Sequence, residues 1–289
     1  MGPVETKRIH ERLVEWTGCE LPVDEVARRL YGLVADIAAP VVGAMHVTCA
    51  DESERECIDA LQSNFCEHLL PRLKFGERAP FRLANLGGRY EEASIHIADD
   101  HFSIPEARKS WKLLLLKINS HVSIDRRKGQ LIFGRMPRYH VESIYCGALH
   151  ALMAGAQHPF CDDLRRGLGI GGMDRLALLL DDATVKPEIR SLIAAVTGAG
   201  VQARRALEDI RSKAPECPTL FLVLPCVTLN RMLKDAEIVC GAWIVDWRGN
   251  EPEVTYEGLG DDPSRMRLGG GTGGVKLTVE DQVTDRRAD

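Results

Sequence analysis

The stretch Lys112-Leu-Leu-Leu-Leu-Lys-Ile-Asn-Ser-His-Val-Ser-Ile124 decides the fold class of this chain. Its centre is a continuous apolar run, which is typical of a strand buried on both faces of a sheet. Val41 to Thr48 is a second apolar, β-branched run, and it ends directly before Cys49. Residues 23–38 carry apolar side chains at helical spacing, and strand-like runs follow at 219–227 and 238–247. The sequence therefore predicts an α/β fold with a central sheet flanked by helices.

The chain of 289 residues is predicted to contain one large domain. A helical segment over 1–40 precedes a single α/β domain over 41–257, and the Gly-rich and charged residues 258–289 are expected to form a flexible tail. Between these elements the pattern predicts irregular structure over 75–88, a strand over 93–98 and a loop over 167–172, followed by mainly helical residues to 212.

Charge and cysteine content exclude several classes of protein. The formal net charge is −5, with 42 acidic against 37 basic residues, so no basic surface for nucleic acid is expected. No apolar run is long enough for a membrane span, and the charged first 15 residues lack the apolar core of a secretory signal. The nine cysteines are odd in number and form no C-x-x-C pair. We therefore expect a soluble, cytoplasmic protein with reduced cysteines.

Three residues at predicted element ends have the side chains of a zinc site. Cys49 ends one buried strand, His121 lies near the end of another, and Cys146 opens a helix. Ligands of α/β sheets bind at the carboxyl ends of strands, where these side chains would meet. Two thiolates and one imidazole leave a fourth zinc position for water, as in catalytic sites. The spacing alone is a weak signal, since buried cysteines are commonly core residues.

Asp51 lies two residues after Cys49 and has two possible roles. Its carboxylate could ligate zinc in place of water, or it could accept a hydrogen bond from the water at the metal. An arginine partner would keep the carboxylate ionised and away from the metal, and the sequence leaves three candidates open: Arg55, Arg89 and Arg135.

Other histidines and cysteines keep further interpretations open. His150 would share a helix face with Cys146, so His150 or the nearby His140 could carry protons to and from the site. His96 and His101 flank two aspartates, which could form a second metal site or a surface loop. Cys49 at a strand-to-helix turn could also be the nucleophile of a metal-free thiol enzyme.

Several motifs resemble one known family in order and rough spacing, over about residues 40–155. These motifs are Cys49-Ala-Asp51-Glu52, Leu83-Ala-Asn-Leu-Gly-Gly88, His96-Ile-Ala-Asp-Asp100, Lys117-Ile-Asn-Ser-His-Val-Ser-Ile124, Gly134-Arg135 and Cys146-Gly-Ala148. Together they resemble the limiting-CO2-inducible B and C proteins, which are theta-class carbonic anhydrases.

The resemblance implies a beta-carbonic-anhydrase-like fold, a homodimer, and zinc held by Cys49, His121 and Cys146, with Asp51 as the gatekeeping acid. The implied reaction is the reversible hydration of CO2 to bicarbonate. One departure concerns Ser53, because beta-type enzymes place at this position an arginine that holds the aspartate. The alternatives are a non-catalytic zinc protein of the same fold, such as a bicarbonate sensor or a complex subunit, and a different zinc- or thiol-dependent lyase or hydrolase.

Overall fold

A computed structural model describes most of the chain. The described residues are 9–13, 15–37, 39–50, 80–123, 125–127, 130–132, 147–184, 187–230, 235–258, 266–271 and 274–279. In chain order, the first half contains β1 (Glu20–Pro22), α1 (Val23–Ile37), β2 (Val41–Thr48), β3 (Phe81–Ala84), α2 (Ser94–His101), α3 (Pro105–Lys109), β4 (Lys112–Ser123), β5 (Asp125–Arg127) and β6 (Gln130–Ile132).

The second half begins with three helices and continues almost entirely in strands. Its elements are α4 (Gly147–Met153), α5 (Pro159–Asp181), α6 (Pro187–Ser212), β7 (Thr219–Asn230), β8 (Ala236–Val239), β9 (Gly241–Asp246), β10 (Glu253–Gly258), β11 (Met266–Gly271) and β12 (Gly274–Val279). No helix in the described part of the chain is long and apolar enough to cross a membrane.

One sheet of eight strands organises the domain. Its order is β1-β8-β7-β4-β2-β3, and β9 lies beside the first half of β7 and pairs in turn with β10. Strands β3, β2, β4 and β7 run parallel to their neighbours, whereas β8 and β9 are antiparallel to β7. The carboxyl ends of the four parallel strands therefore lie at one edge of the sheet, where α/β folds form their sites.

Strand β4 is buried on both faces, as its continuous apolar run predicts. Leu113 and Leu115 pack with the apolar face of α1, whereas Leu114 and Leu116 pack with residues of α2 and α6 on the opposite face. The sheet thus lies between two helical layers, and the predicted α/β class is confirmed.

Most of the predicted elements are confirmed, and the exceptions have physical reasons. Residues 93–98 were expected to form a strand, but Ala93 is the N-cap of α2 and residues 94–98 lie within this helix. The buried residues of α2 are Ser94, Ile95, Ala98 and Asp99, and this spacing is that of one helix face. The predicted loop over 167–172 is part of α5, which tolerates its glycines through a break in helical geometry at Gly169.

Two further differences concern strands of the main sheet. The region predicted to be irregular over 75–88 contains β3, a short edge strand whose side chains are only partly buried. The predicted strand over 238–247 is divided into β8 and β9 at Cys240. Further along the chain, β11 and β12 pair as an antiparallel hairpin outside this sheet.

Candidate functional site

Cys49 follows β2 directly and lies under a glycine loop. Its side chain is fully buried, and the backbone N–H of Gly87 donates a hydrogen bond to Sγ over 3.2 Å. The loop is held over the cysteine because Asn85 N donates to Thr48 O and Ala50 N donates to Asn85 O, each over 3.1 Å. The N–H group of Gly87 is thus directed at sulfur, the atom through which a cysteine binds metals or acts as a nucleophile.

The loop can lie this close only because it contains two glycines. Gly87 and Gly88 have φ values of +78° and +67°, which favour glycine. A Cβ at Gly88 would lie 1.8 Å from the backbone oxygen of Asn119 in β4, and one at Gly87 would lie 2.7 Å from Cβ of Ala148 in α4. The glycines therefore bring the end of β2, the end of β4 and the start of α4 together.

His121 lies near the end of β4 and is held by a polar chain of two further residues. Its Nδ1 is 2.8 Å from Oδ1 of Asn230, the last residue of β7. The amide of Asn230 in turn donates from Nδ2 to Oδ2 of Asp235 over 3.1 Å. Because this second bond directs Oδ1 toward the imidazole, Nδ1 is the donor, and this tautomer carries its lone pair on Nε2.

Two of the three predicted zinc ligands, Cys49 and His121, lie within the described residues. Cys49 belongs to the same buried cluster as Val122, which follows His121, and Ala148, which lies two residues after Cys146. Cys146 and Asp51 lie outside the described residues. Within the described ranges no group of three or more His, Cys, Asp or Glu side chains is arranged to hold a metal ion. A buried sulfur and an imidazole in the Nδ1–H form are donors that suit zinc.

Arg89, a candidate partner of Asp51, is anchored by the carboxylate of Asp163. Its Nε donates to Oδ2 of Asp163 over 2.8 Å, and Asp163 is completely buried in α5. Arg166 donates to Oδ1 over 2.6 Å, and Arg205 also pairs with Oδ2. One carboxylate thus holds three guanidinium groups, and the first of them lies two residues beyond the loop glycine that contacts Cys49.

The remaining predicted site residues are only partly described. Arg55, Arg135 and His140 lie outside the described residues. His150 lies in α4, and its side chain is outside them as well. Asp99, between the two histidines of the possible second metal site, forms a buried ion pair of 2.8 Å with Lys112.

A buried polar layer next to His121 was not predicted from the sequence. Lys117 of β4 and Glu237 of β8 form an ion pair of 2.5 Å, and both side chains are buried. Burial lowers the pKa of His46 in β2 well below its ordinary value, and the charges of Lys117 and Arg82 lower it further. Polar residues inside otherwise apolar strands, such as Lys117 and Asn230, were the available signal for this layer.

Comparison with known proteins gives a match of structure only. No protein-family model matches the sequence, and no curated protein matches it significantly. Among solved structures, PtLCIB4, a homologue of the limiting-CO2-inducible protein LCIB, aligns with a TM-score of 0.57 at 14% identity, covering 86% of this chain and 99% of that chain. LCIB itself aligns with a TM-score of 0.50 at 15% identity, covering 87% and 99%.

At these identities the likeness is one of fold, and it extends over nearly the whole length of both solved structures. It agrees with the motif resemblance found in the sequence, which covered only about residues 40–155. The fold predicted from the sequence is therefore confirmed, and it is shared with the limiting-CO2-inducible protein LCIB and its homologue PtLCIB4.

Proposed function

We propose that the protein is a zinc-dependent, carbonic-anhydrase-like enzyme that interconverts CO2 and bicarbonate. The observation that carries the proposal is that Cys49 and His121 lie at the carboxyl ends of two neighbouring parallel strands. Strands β2 and β4 are parallel neighbours paired up to Val47 and Ile118, so the cysteine and the histidine lie near the same edge of the sheet. The sulfur of Cys49 accepts a hydrogen bond from a backbone N–H. The imidazole of His121 faces Asn230 with Nδ1, which leaves Nε2 as the nitrogen that would bind a metal.

In this proposal Cys49, His121 and Cys146 hold the zinc ion, which when bound supplies Lewis-acid activation of a water molecule for attack on CO2. The glycine loop excludes bulk water from the sulfur of Cys49. The carboxylate of Asp51 accepts a hydrogen bond from the reacting water and orients it.

Arginine and histidine side chains have supporting roles in the proposed reaction. Arg89 or Arg135 keeps Asp51 ionised, and the buried Asp163 fixes the position of Arg89. The net reaction releases one proton for each bicarbonate formed, and His150 or His140 passes that proton to solvent.

A specific observation favours a second candidate, a non-catalytic zinc protein of the same fold. Ser53 stands where beta-type enzymes carry the arginine that holds the gatekeeping aspartate. Without that ion pair, Asp51 could occupy the fourth zinc position and exclude water. Zinc binding without CO2 hydration is the result that this candidate predicts.

The first test is the metal content of the purified protein and its Cys146→Ser variant, measured by elemental analysis. We expect about one zinc per chain in the wild type and loss of most of it in the variant. Cys19→Ser is the matched control, because Cys19 lies before β1 and its sulfur donates to the backbone oxygen of Glu15 over 3.7 Å. Absence of zinc from the wild type would refute the proposal.

Stopped-flow CO2 hydration then separates the two zinc candidates. Activity that disappears with a chelator and returns with zinc supports the enzyme. Full zinc occupancy without activity supports the non-catalytic protein. Inactivation of metal-free protein by a thiol reagent, with an activity that needs no zinc, would instead identify a thiol enzyme using Cys49.

A further inference from the structure

We propose that Asn230 and Asp235 form an outer shell that orients His121 for metal binding and sets its affinity for zinc. This inference rests on the proposed function, because it assigns a role around one of the proposed ligands. Neither residue belongs to a motif of the sequence resemblance, which ends near residue 155.

The geometry forms a continuous chain from a carboxylate to the imidazole. Asp235 Oδ2 accepts from Asn230 Nδ2 over 3.1 Å, and Asn230 Oδ1 lies 2.8 Å from His121 Nδ1. Asp235 is nearly buried, so its negative charge acts with little screening by water. A carboxylate that polarises an amide, which in turn accepts from the imidazole, makes Nε2 more basic and thus a better zinc ligand.

The register of the sheet fixes the relative positions of His121, Asn230 and Asp235. In the pairing of β7 with β8, Leu229 lies opposite Ala236, so Asn230 and Asp235 occupy the next opposed positions beyond the ladder. In the pairing of β4 with β7, His121 lies opposite Thr228. Asn230 is two residues further along, and its side chain therefore lies on the same face as Thr228 and reaches His121 diagonally.

A backbone hydrogen bond anchors Asp235, the residue of this hydrogen-bonded series that lies furthest from His121. Asp235 O accepts from the N–H of Val23, the first residue of α1, over 3.3 Å. The outer shell is thus built on strand ends and a helix start. Such support gives the imidazole one orientation before metal arrives, which reduces the entropy lost on binding.

The test measures zinc affinity by competition with a chromophoric chelator, on the full-length protein and three variants. Asn230→Leu removes both hydrogen bonds, and we expect zinc affinity to fall by about 10- to 100-fold. Asp235→Asn keeps the shape but allows the amide of Asn230 to flip, and we expect a smaller loss. In the double variant Asn230→Asp with Asp235→Asn, the carboxylate and the amide exchange places. Both hydrogen bonds can form again, so affinity should exceed that of Asp235→Asn alone.

Spectroscopy and a control variant separate orientation of the ligand from a general loss of structure. The visible absorption of the cobalt(II)-substituted protein reports the ligand geometry, and it should change in Asn230→Leu and return in the double variant. Asp246→Asn removes another partly buried carboxylate at the opposite end of β7, where it pairs with Arg248. We expect this control to alter stability but not zinc affinity.

The outcomes distinguish this inference from the proposed function. Wild-type protein without zinc overturns both. Zinc in the wild type and unchanged affinity in a folded Asn230→Leu variant overturn the outer shell alone. Should Asn230→Leu fail to fold, the comparison of Asp235→Asn with the double variant decides, and equal or lower affinity in the double variant refutes the proposal.

Discussion

Replacement of Gly88 by alanine should damage both the fold and the site, and its cost can be worked out from the structure. The added Cβ would lie 1.8 Å from the backbone oxygen of Asn119, whereas real Cβ contacts are essentially never under 3.0 Å. The loop or β4 must therefore move by more than 1 Å, since 3.0 minus 1.8 is 1.2 Å. The opposing atom is backbone in the centre of a buried sheet and cannot rotate away.

Two costs add up in this variant. A non-glycine residue with positive φ loses about 1–2 kcal/mol of folding free energy. Overpacking against a fixed neighbour costs about 1–3 kcal/mol more. We expect Gly88→Ala to reduce the free energy of unfolding by about 2–5 kcal/mol, measured by urea denaturation with an unchanged m-value.

Gly155 provides a matched control for the steric cost. Its φ of +63° is close to the +67° of Gly88, but no neighbouring atom in the described part of the chain lies within 4 Å of a Cβ at this position. Gly155→Ala should therefore lose only the conformational cost of about 1–2 kcal/mol and keep its zinc. Gly88→Ala should also lose zinc affinity, because movement of the loop withdraws the N–H of Gly87 from Cys49. Equal stability and equal zinc affinity in the two variants would refute the reasoning.

Two further predictions concern buried charge. Asp163→Asn leaves three arginines without their shared carboxylate, so we expect the free energy of unfolding, measured by urea denaturation, to fall by about 3–5 kcal/mol. The adjacent control Asp162→Asn loses only an exposed ion pair with one arginine and should cost about 0–1 kcal/mol. Equal losses in the two variants would contradict this role for the buried carboxylate. His46 is neutral in the folded protein because its pKa is lowered, whereas the unfolded chain takes up a proton below about pH 6.5. The stability that neutral His46 contributes is therefore fully present above that pH, and the free energy of unfolding should fall by about 1.4 kcal/mol per pH unit below it. His46→Gln should flatten this slope in a series of denaturation measurements from about pH 7.5 to 5.5. An unchanged slope in the variant would assign the pH dependence to other groups.

The apolar pattern of the sequence predicts strands correctly where the strand is completely buried. The runs at Val41 to Thr48 and from Lys112 onward are apolar on both faces, and only a strand between two helical layers buries such a run in so few residues. The segment over 93–98 was predicted to be a strand, but it lies in a helix on which Ile95 is buried and Ile97 is exposed. A short amphipathic segment contains too few residues to separate the two periods.

The sequence by itself determined the central sheet, its flanking helices and the placement of Cys49 and His121 at strand ends, because these depend on apolar patterns within single elements. Only the tertiary structure decided which residues surround them. Asn230 and Asp235 reach His121 from more than 100 residues away in the chain, and Gly87 reaches Cys49 across 38 residues. Such partners are set by strand order and register, which join distant segments and leave no periodic signal in the segments themselves.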